Sequence, residues 1–191
     1  FGDLPVPPPA EGSLLPETYN YSWGDSRAGM LARMAKAMRE TLAHLWAGRA
    51  PDLPYATPEA ALILASIVEK ETGVPAERPL VAGVFVNRLR LGMKLQSDPT
   101  VDYALSGGKG PLGRELTRAD LDTASPYNTY RVDGLPPGPI ANPGRAAIAA
   151  VMRPAPTKDL YFVADGSGGH AFSQTLAEHN KNVERWHQRQ Q

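Results

Sequence analysis

The chain has 191 residues in which 20 basic and 20 acidic side chains cancel, with no dense Lys/Arg run; that balance does not favour an electrostatic grip on nucleic acid or on an anionic membrane surface. Cysteine is absent, which excludes disulfides, thiolate zinc sites and a cysteine nucleophile. No apolar run reaches the roughly 18 residues of a membrane span, no signal peptide opens the chain, and the length suits one domain with a substantial core, or one domain plus a small appendage.

Residues 1 to 24, beginning FGDLPVPPPAEGSLLPETY, read as extended, proline-punctuated chain and suggest the middle of a longer polypeptide. In the stretch that follows, Met34, Met38, Leu42 and Leu45 recur at helical spacing, with Asp25 or Ser26 as cap and Gly48 as stop. Thr57 and Pro58 supply an N-cap and first-turn pair for a second helix, and Gly73 supplies its end. A third helix is expected over about residues 76 to 91, with Val81, Val84, Phe85 and Leu89 inward and Gly92 closing it.

MKLQSDPT then runs as a polar loop in which Asp98, before Pro99, caps a short helix through Leu105. SGGKGPLG at 106 to 113 reads as a flexible surface tether rather than a phosphate cradle, because the G-x-x-x-x-G-K-[ST] spacing is missing. The Tyr127, Asn128, Thr129, Tyr130 cluster precedes GLPPGPI, a rigid turn whose prolines hold neighbouring polar side chains in place. Asn142 and Pro143 start another helix to about Met152, LYFVADGSGGHAFS reads as a hairpin, and a last helix runs from about Thr175 to Arg189. Helices with a few strands outside any β-α-β alternation predict an α+β fold, mostly helical with a small antiparallel sheet.

The stretch ILASIVEKETG, residues 63 to 73, ends an apolar helix in two carboxylates. At 3.6 residues per turn, Ala60, Leu64, Ile67 and Glu71 form one stripe, so Glu71 extends the apolar face. Glu69 lies about 200° around, near Leu62, Ala65 and Ser66, and is the better solvent carboxylate. A carboxyl group on an apolar stripe is partly desolvated, and the C-terminal end of the helix dipole disfavours its charge as well, so both effects raise its pKa. Such a group can donate a proton near neutrality to a poor alkoxide leaving group. The competing reading is a frayed-end residue that reaches water or pairs with Arg78 or Arg88.

Several separate, ordered stretches decide between these readings. EGSLLPETY (11 to 19), ASIVEKET (65 to 72), VFVNRLRLGMKLQSDPTVDYAL (84 to 105), YNTYRVDGLPPGPIANPG (127 to 144) and LYFVADGSGGHAFSQTLAEHN (160 to 180) resemble the YceG-like family of endolytic murein transglycosylases over nearly the whole chain. The resemblance implies a lytic-transglycosylase-like catalytic domain, here 25 to 191. It would cut peptidoglycan glycan strands between N-acetylmuramic acid and N-acetylglucosamine, leave 1,6-anhydro ends, and need no cofactor. It implies Glu71, the glutamate before Thr72, as the catalytic acid.

Around that acid, Gln96, Ser97, Asp98 and Asn128 are candidates for binding N-acetyl and hydroxyl groups, and Tyr127 for stacking on a pyranose face. Asp98 has a plainer reading as helix cap and a further one as the second carboxylate of a hydrolase. His170 lines the groove or satisfies a backbone carbonyl, and Asn142 reads as an N-cap. His179 and His187 form no zinc spacing, so no metal site is expected. The resemblance also implies an N-terminal membrane anchor and a LysM-like module, with residues 1 to 24 as a linker or the module's edge. It implies work at the periplasmic face of the bacterial inner membrane, with peptidoglycan synthases (penicillin-binding proteins) as partners, this fragment being soluble. Two other classes stay open, a hydrolytic muramidase and a noncatalytic peptidoglycan-binding module.

Overall fold

The computed structural model describes residues 7–189; residues 1 to 6 of the expected linker lie outside them. In chain order the elements are α1 (Arg27–Ala47), α2 (Pro58–Glu71), a 3-10 turn (Pro75–Glu77), α3 (Arg78–Arg90), α4 (Asp98–Ser106), α5 (Arg118–Leu121), α6 (Arg145–Met152), β1 (Tyr161–Ala164), β2 (His170–Ser173) and α7 (Leu176–Arg189). The strands form one antiparallel hairpin, with Tyr161 opposite Ser173 and Ala164 opposite His170. This is the α+β arrangement expected from the sequence.

The fold is organised around α2, which packs against α1, α3, α4 and α6. Thr57 caps its start by accepting a hydrogen bond from the Ala60 amide, and Pro58 occupies the first turn, where its missing N–H is not needed. Leu64, Ala65, Ser66, Ile67 and Val68 are all buried, so the helix has no polar face along this stretch. Ala61 and Ala65 share one core with the small residues Ala147 and Ala150 of α6, the helix against which α2 packs. Each fully buried Leu, Ile, Val or Phe contributes about 1.5 to 3 kcal/mol, and Leu64, Ile67, Phe85, Ile148 and Val151 are enclosed in this way.

Burial on all sides changes two expectations. Ser66 lies inside the core, donating to the Ile63 carbonyl at 2.7 Å and accepting from the Ile140 amide at 3.0 Å. Glu69, expected in solvent, is half-buried, and its carboxylate accepts from the Gly144 amide at 3.0 Å, at the N-cap of α6. A carboxylate at that end meets an unpaired amide and the positive end of a helix dipole, so Glu69 does the capping expected of Asn142. Asn142 instead takes the Leu14 amide at 3.0 Å and donates to Glu11 at 3.3 Å. Those bonds stitch residues 11 to 15 to the domain, and Leu15 is sealed in the core.

Other boundaries moved for local reasons. Helix α2 ends in extended backbone at Thr72 rather than at Gly73, because the Thr72 hydroxyl accepts from the Val74 amide and donates to Glu77. The expected single helix over 76 to 91 is a 3-10 turn opened by Pro75, followed by α3. Gly92 closes α3 in the left-handed region at φ +66°. Gly83 is needed on its inner face, since a Cβ there would lie 2.8 Å from the Ala155 carbonyl oxygen. Phe85 meets Phe162 of the hairpin edge-on, with centroids 5.8 Å apart, and this fixes β1 over α3. The sequence reading did not anticipate α5, which is held by a capping box between Thr117 and Asp120. No described helix is long and apolar enough to cross a membrane.

Candidate active site

Glu71 is the last residue of α2 and opens on a cleft of about 440 Å³ between the loop before α4 and the hairpin. Gln96, Asp98, Tyr130, Tyr161, Phe162 and His170 also line this cleft. Its carboxylate accepts a 2.5 Å hydrogen bond from the Ser97 hydroxyl. Desolvation is the largest influence on the group and lifts its pKa from 4.5 to about 7; the Ser97 bond opposes the rise, the Asp98 charge adds to it, and Arg88 opposes it. The residue keeps some exposure to the cleft, so the proton it holds near neutrality is within reach of a ligand.

The loop before α4 is built to present Ser97. Gln96 adopts φ +50°, a left-handed conformation that is costly without glycine, and its amide is tied to the Thr129 carbonyl at 3.1 Å. The Ser97 amide donates to the Thr129 hydroxyl at 2.9 Å, and Thr100 shares that hydroxyl at 2.8 Å. Ser97, not Asp98, is therefore the residue at the N-cap of α4, and its hydroxyl makes no cap bond because it is turned to Glu71. Replacing Ser97 with Ala should raise the Glu71 pKa further, since the bond it removes favours the charged form. A carbon-13 NMR titration of labelled glutamate carboxyls, showing the Glu71 midpoint moved upward, checks this; a midpoint that stays put or falls refutes it.

Asp98 is exposed, and its carboxylate accepts from the Tyr130 hydroxyl at 2.5 Å. Burial, followed by that bond to Asp98, raises the Tyr130 pKa, so its phenol stays protonated. His170 is held from two sides by Glu77, whose carboxylate meets the ring Nδ1 at 2.7 Å and the backbone amide at 2.8 Å. Burial works against the Glu77 charge, but these bonds and the Thr72 hydroxyl hold its pKa below the usual range. The second imidazole nitrogen of His170 is left for the cleft.

Three candidates from the sequence do not line the cleft. Ser97, expected to bind the sugar's polar substituents, is buried, and its hydroxyl is spent on Glu71. Tyr127 lies against Tyr103, with centroids 4.8 Å apart, on the edge of the core. Asn128 is fully buried and spends its amide on the Leu121 and Thr123 carbonyls at 2.9 and 2.8 Å, and its oxygen on the Tyr130 amide. Asn128 shapes the turn that presents Tyr130. The aromatic faces in the cleft come from Tyr130, Tyr161 and Phe162.

Arg88, which the sequence offers as a possible partner of Glu71, lies at a junction of the cleft walls. It is 7% exposed, and its guanidinium donates to the carbonyls of Leu160 at 2.6 Å and Leu95 at 2.8 Å, so it joins the two walls of the cleft. It also sits 5.2 Å from the centroid of the Tyr161 ring. Among the described residues it has no ion pair within 4 Å, and it acts on Glu71 at longer range. Arg78 does not line the cleft, and its Nε is buried without a hydrogen-bond partner among the described residues. His179 stacks on Tyr161 at 5.3 Å. No group of three or more His, Asp or Glu among the described residues is placed to hold a metal ion.

Residues 3–185 match the YceG-like family. The chain is 38% identical over 180 residues to a Bacillus subtilis (strain 168) protein named endolytic murein transglycosylase, an alignment covering 93% of this chain and 48% of that protein. It is 34% identical over 180 residues to a protein of the same name from Streptococcus pneumoniae serotype 2 (strain D39 / NCTC 7466), covering 91% and 31%. The crystal structure of a yceG-like protein from Listeria monocytogenes superposes with a TM-score of 0.72 at 38% identity, over 89% of this chain and 54% of that one. The chain thus spans about half the length of the Bacillus relative, and less of the streptococcal one.

Proposed function

The chain belongs to the YceG-like family, and from that premise we propose that it is the cutting domain of a lytic transglycosylase, with Glu71 as its acid and base. The observation that carries this reading is a carboxyl group with a pKa near 7, held by Ser97 at the floor of a cleft with aromatic walls. Protonated Glu71 gives its proton to the glycosidic oxygen as the bond to the muramic acid C1 breaks. The leaving N-acetylglucosamine departs as an alcohol, and positive charge develops at C1. Glu71, now a carboxylate, is supported by the Ser97 hydroxyl and the Arg88 charge. It takes the proton from the same sugar's C6 hydroxyl, whose oxygen closes on C1 to form the 1,6-anhydro ring. The proton inventory of the enzyme is restored without water.

Gln96 and the free ring nitrogen of His170 are the hydrogen-bonding groups we assign to the sugar's acetamido and hydroxyl substituents, with Tyr130 and Tyr161 as the amphipathic surfaces. A hydrolytic reading has one observation in its favour, since Asp98 puts a second carboxylate in the same cleft. Its bond from Tyr130 ties up one oxygen, which argues for a positioning role instead. Digesting purified glycan strands and weighing the products separates the two: anhydro ends, one water lighter than reducing ends, are expected. A digest made of reducing ends would leave the hydrolase reading standing and remove ours.

The finer setting is part of the same proposal: cuts within strands, at the periplasmic face of the inner membrane, beside penicillin-binding-protein synthases, with residues 25 to 191 as the cutting unit, braced by residues 11 to 15, and the LysM-like module preceding it. The word endolytic in the relatives' name supports the cuts within strands; the location, the module and the synthases rest on the resemblance alone. Crosslinking in cells with the full-length protein, followed by recovery of a synthase, tests the partnership; a crosslinked set without any synthase counts against it.

A further inference from the structure

A second cleft, of about 590 Å³, meets the first at Asp98, which lines both. Lys70, Asp102, Arg114 and Glu115 supply its other charged groups. One wall, Arg114 to Leu116, follows directly on the glycine-rich segment at 106 to 113 that reads in sequence as a plain tether. That wall is pinned: the Leu112 amide donates to Asp102 at 3.1 Å, and Arg114 makes a two-point contact with Asp120 at 2.6 and 3.0 Å. Lys70 is exposed, makes no ion pair among the described residues, and adjoins Glu71 in the chain.

The two clefts differ in chemistry. The first has aromatic rings in its walls, as a neutral sugar ring requires. Both carry charge, Glu71, Arg88 and Asp98 in the first, but the second has no aromatic ring, and five of its seven lining residues are charged, two of them cations and three carboxylates. A neutral glycan gains little from such a lining, whereas a short peptide bearing both carboxylates and an amine is complementary to it. Murein strands carry such a branch on the muramic acid, the ring whose C1 reacts at Glu71, so the branch leaves the strand beside the scissile bond.

We propose that the cleft between Lys70 and the 112 to 116 segment receives the peptide branch of the muramic acid at the cutting position, with Lys70 on a peptide carboxylate and Glu115 on its amine. The inference rests on the transglycosylase reading, and its test is separable from that reading. Wild type, Lys70→Ala, Glu115→Gln and Leu116→Trp, the last filling the cleft, are each given peptide-bearing strands and amidase-stripped strands. The readout is the ratio of kcat/KM on the two substrates. Wild type favours peptide-bearing strands, and each variant lowers the ratio, by about tenfold for Lys70→Ala, the size of one lost charge-assisted hydrogen bond. Equal wild-type rates on both substrates, or ratios unmoved in all three variants, overturn the proposal. Glu71→Gln run alongside reports on the underlying reading: if it still cuts, that reading fails whatever the ratios show.

Discussion

Glu71→Gln lowers strand cleavage by about a thousandfold, the middle of the range for removing a general acid, while the protein stays folded and becomes more stable at alkaline pH. Glutamine fills the same volume and can still meet the Ser97 hydroxyl, so the loop before α4 keeps its anchor. What is lost is the proton. In the wild type the rate should fall as pH rises through about 7, where Glu71 ionises. The stability effect follows from the same displacement. The folded-state value lies above the ordinary 4.5, so the folded state binds more protons than the unfolded chain between about 4.5 and 7. The group's favourable contribution is complete below the unfolded value and is lost as pH rises through the folded one. Allowing for the residue's partial exposure, the loss amounts to roughly 2 to 3 kcal/mol. Urea melts at about pH 4 and pH 8 should show wild type and Glu71→Gln close together in acid and separated in base, with the variant the more stable. A variant that keeps wild-type cleavage, or parallel stability profiles, would show that the shielded carboxyl is not the acid.

Periodicity in the sequence put that carboxyl on an apolar stripe without excluding a frayed end, and the resemblance to a family decided for it. Ala60, Leu64 and Ile67 place Glu71 on the buried stripe of α2, and periodicity within one helix survives folding. The signal fails when a position is decided by a partner far along the chain. Glu69 is drawn to the Gly144 amide, 75 residues away, and no local pattern records that contact. Asn142 sits where an N-cap belongs, yet it is recruited by Glu11 and Leu14. The turn over 127 to 130 shows a similar limit. It has no period, so nothing in the order Tyr, Asn, Thr, Tyr tells which ring faces the cleft, and Tyr130 took the place expected of Tyr127. The prolines of GLPPGPI located the turn, and only tertiary packing could orient it. Arg88, named from the sequence only as a possible partner of Glu71, is buried between the cleft walls, which no local signal foretold. On a helix C-terminus an arginine ordinarily serves the dipole at the surface, and its burial depends on two segments, at 94 to 96 and at 160, whose carbonyls converge on it.

Convergence of that kind gives the second large effect, from Arg88→Met. The guanidinium holds the Leu160 carbonyl on the hairpin side and the Lys94 and Leu95 carbonyls on the loop side, and at 3.4 Å it reaches the Gln96 side chain. Burial lowers its pKa, but a guanidinium stays charged throughout the accessible range. Methionine matches the stem and leaves the carbonyls without donors, at a cost of about 3 kcal/mol, or roughly 10 °C in Tm for a domain of this size. The catalytic consequence has a definite sign. Arg88 depresses the Glu71 pKa, so its loss lets Glu71 hold its proton to higher pH and moves the falling limb of the rate profile upward. The same loss removes charge that steadies the carboxylate between proton donation and ring closure, so the maximal rate drops even where the acid is protonated. Arg88→Lys separates the two contributions. It keeps the charge and surrenders the fork, so the limb should stay near the wild-type position while Tm still falls. Should Arg88→Met melt within a degree or two of wild type with an unshifted profile, the bridge between the cleft walls is not what holds the site in shape.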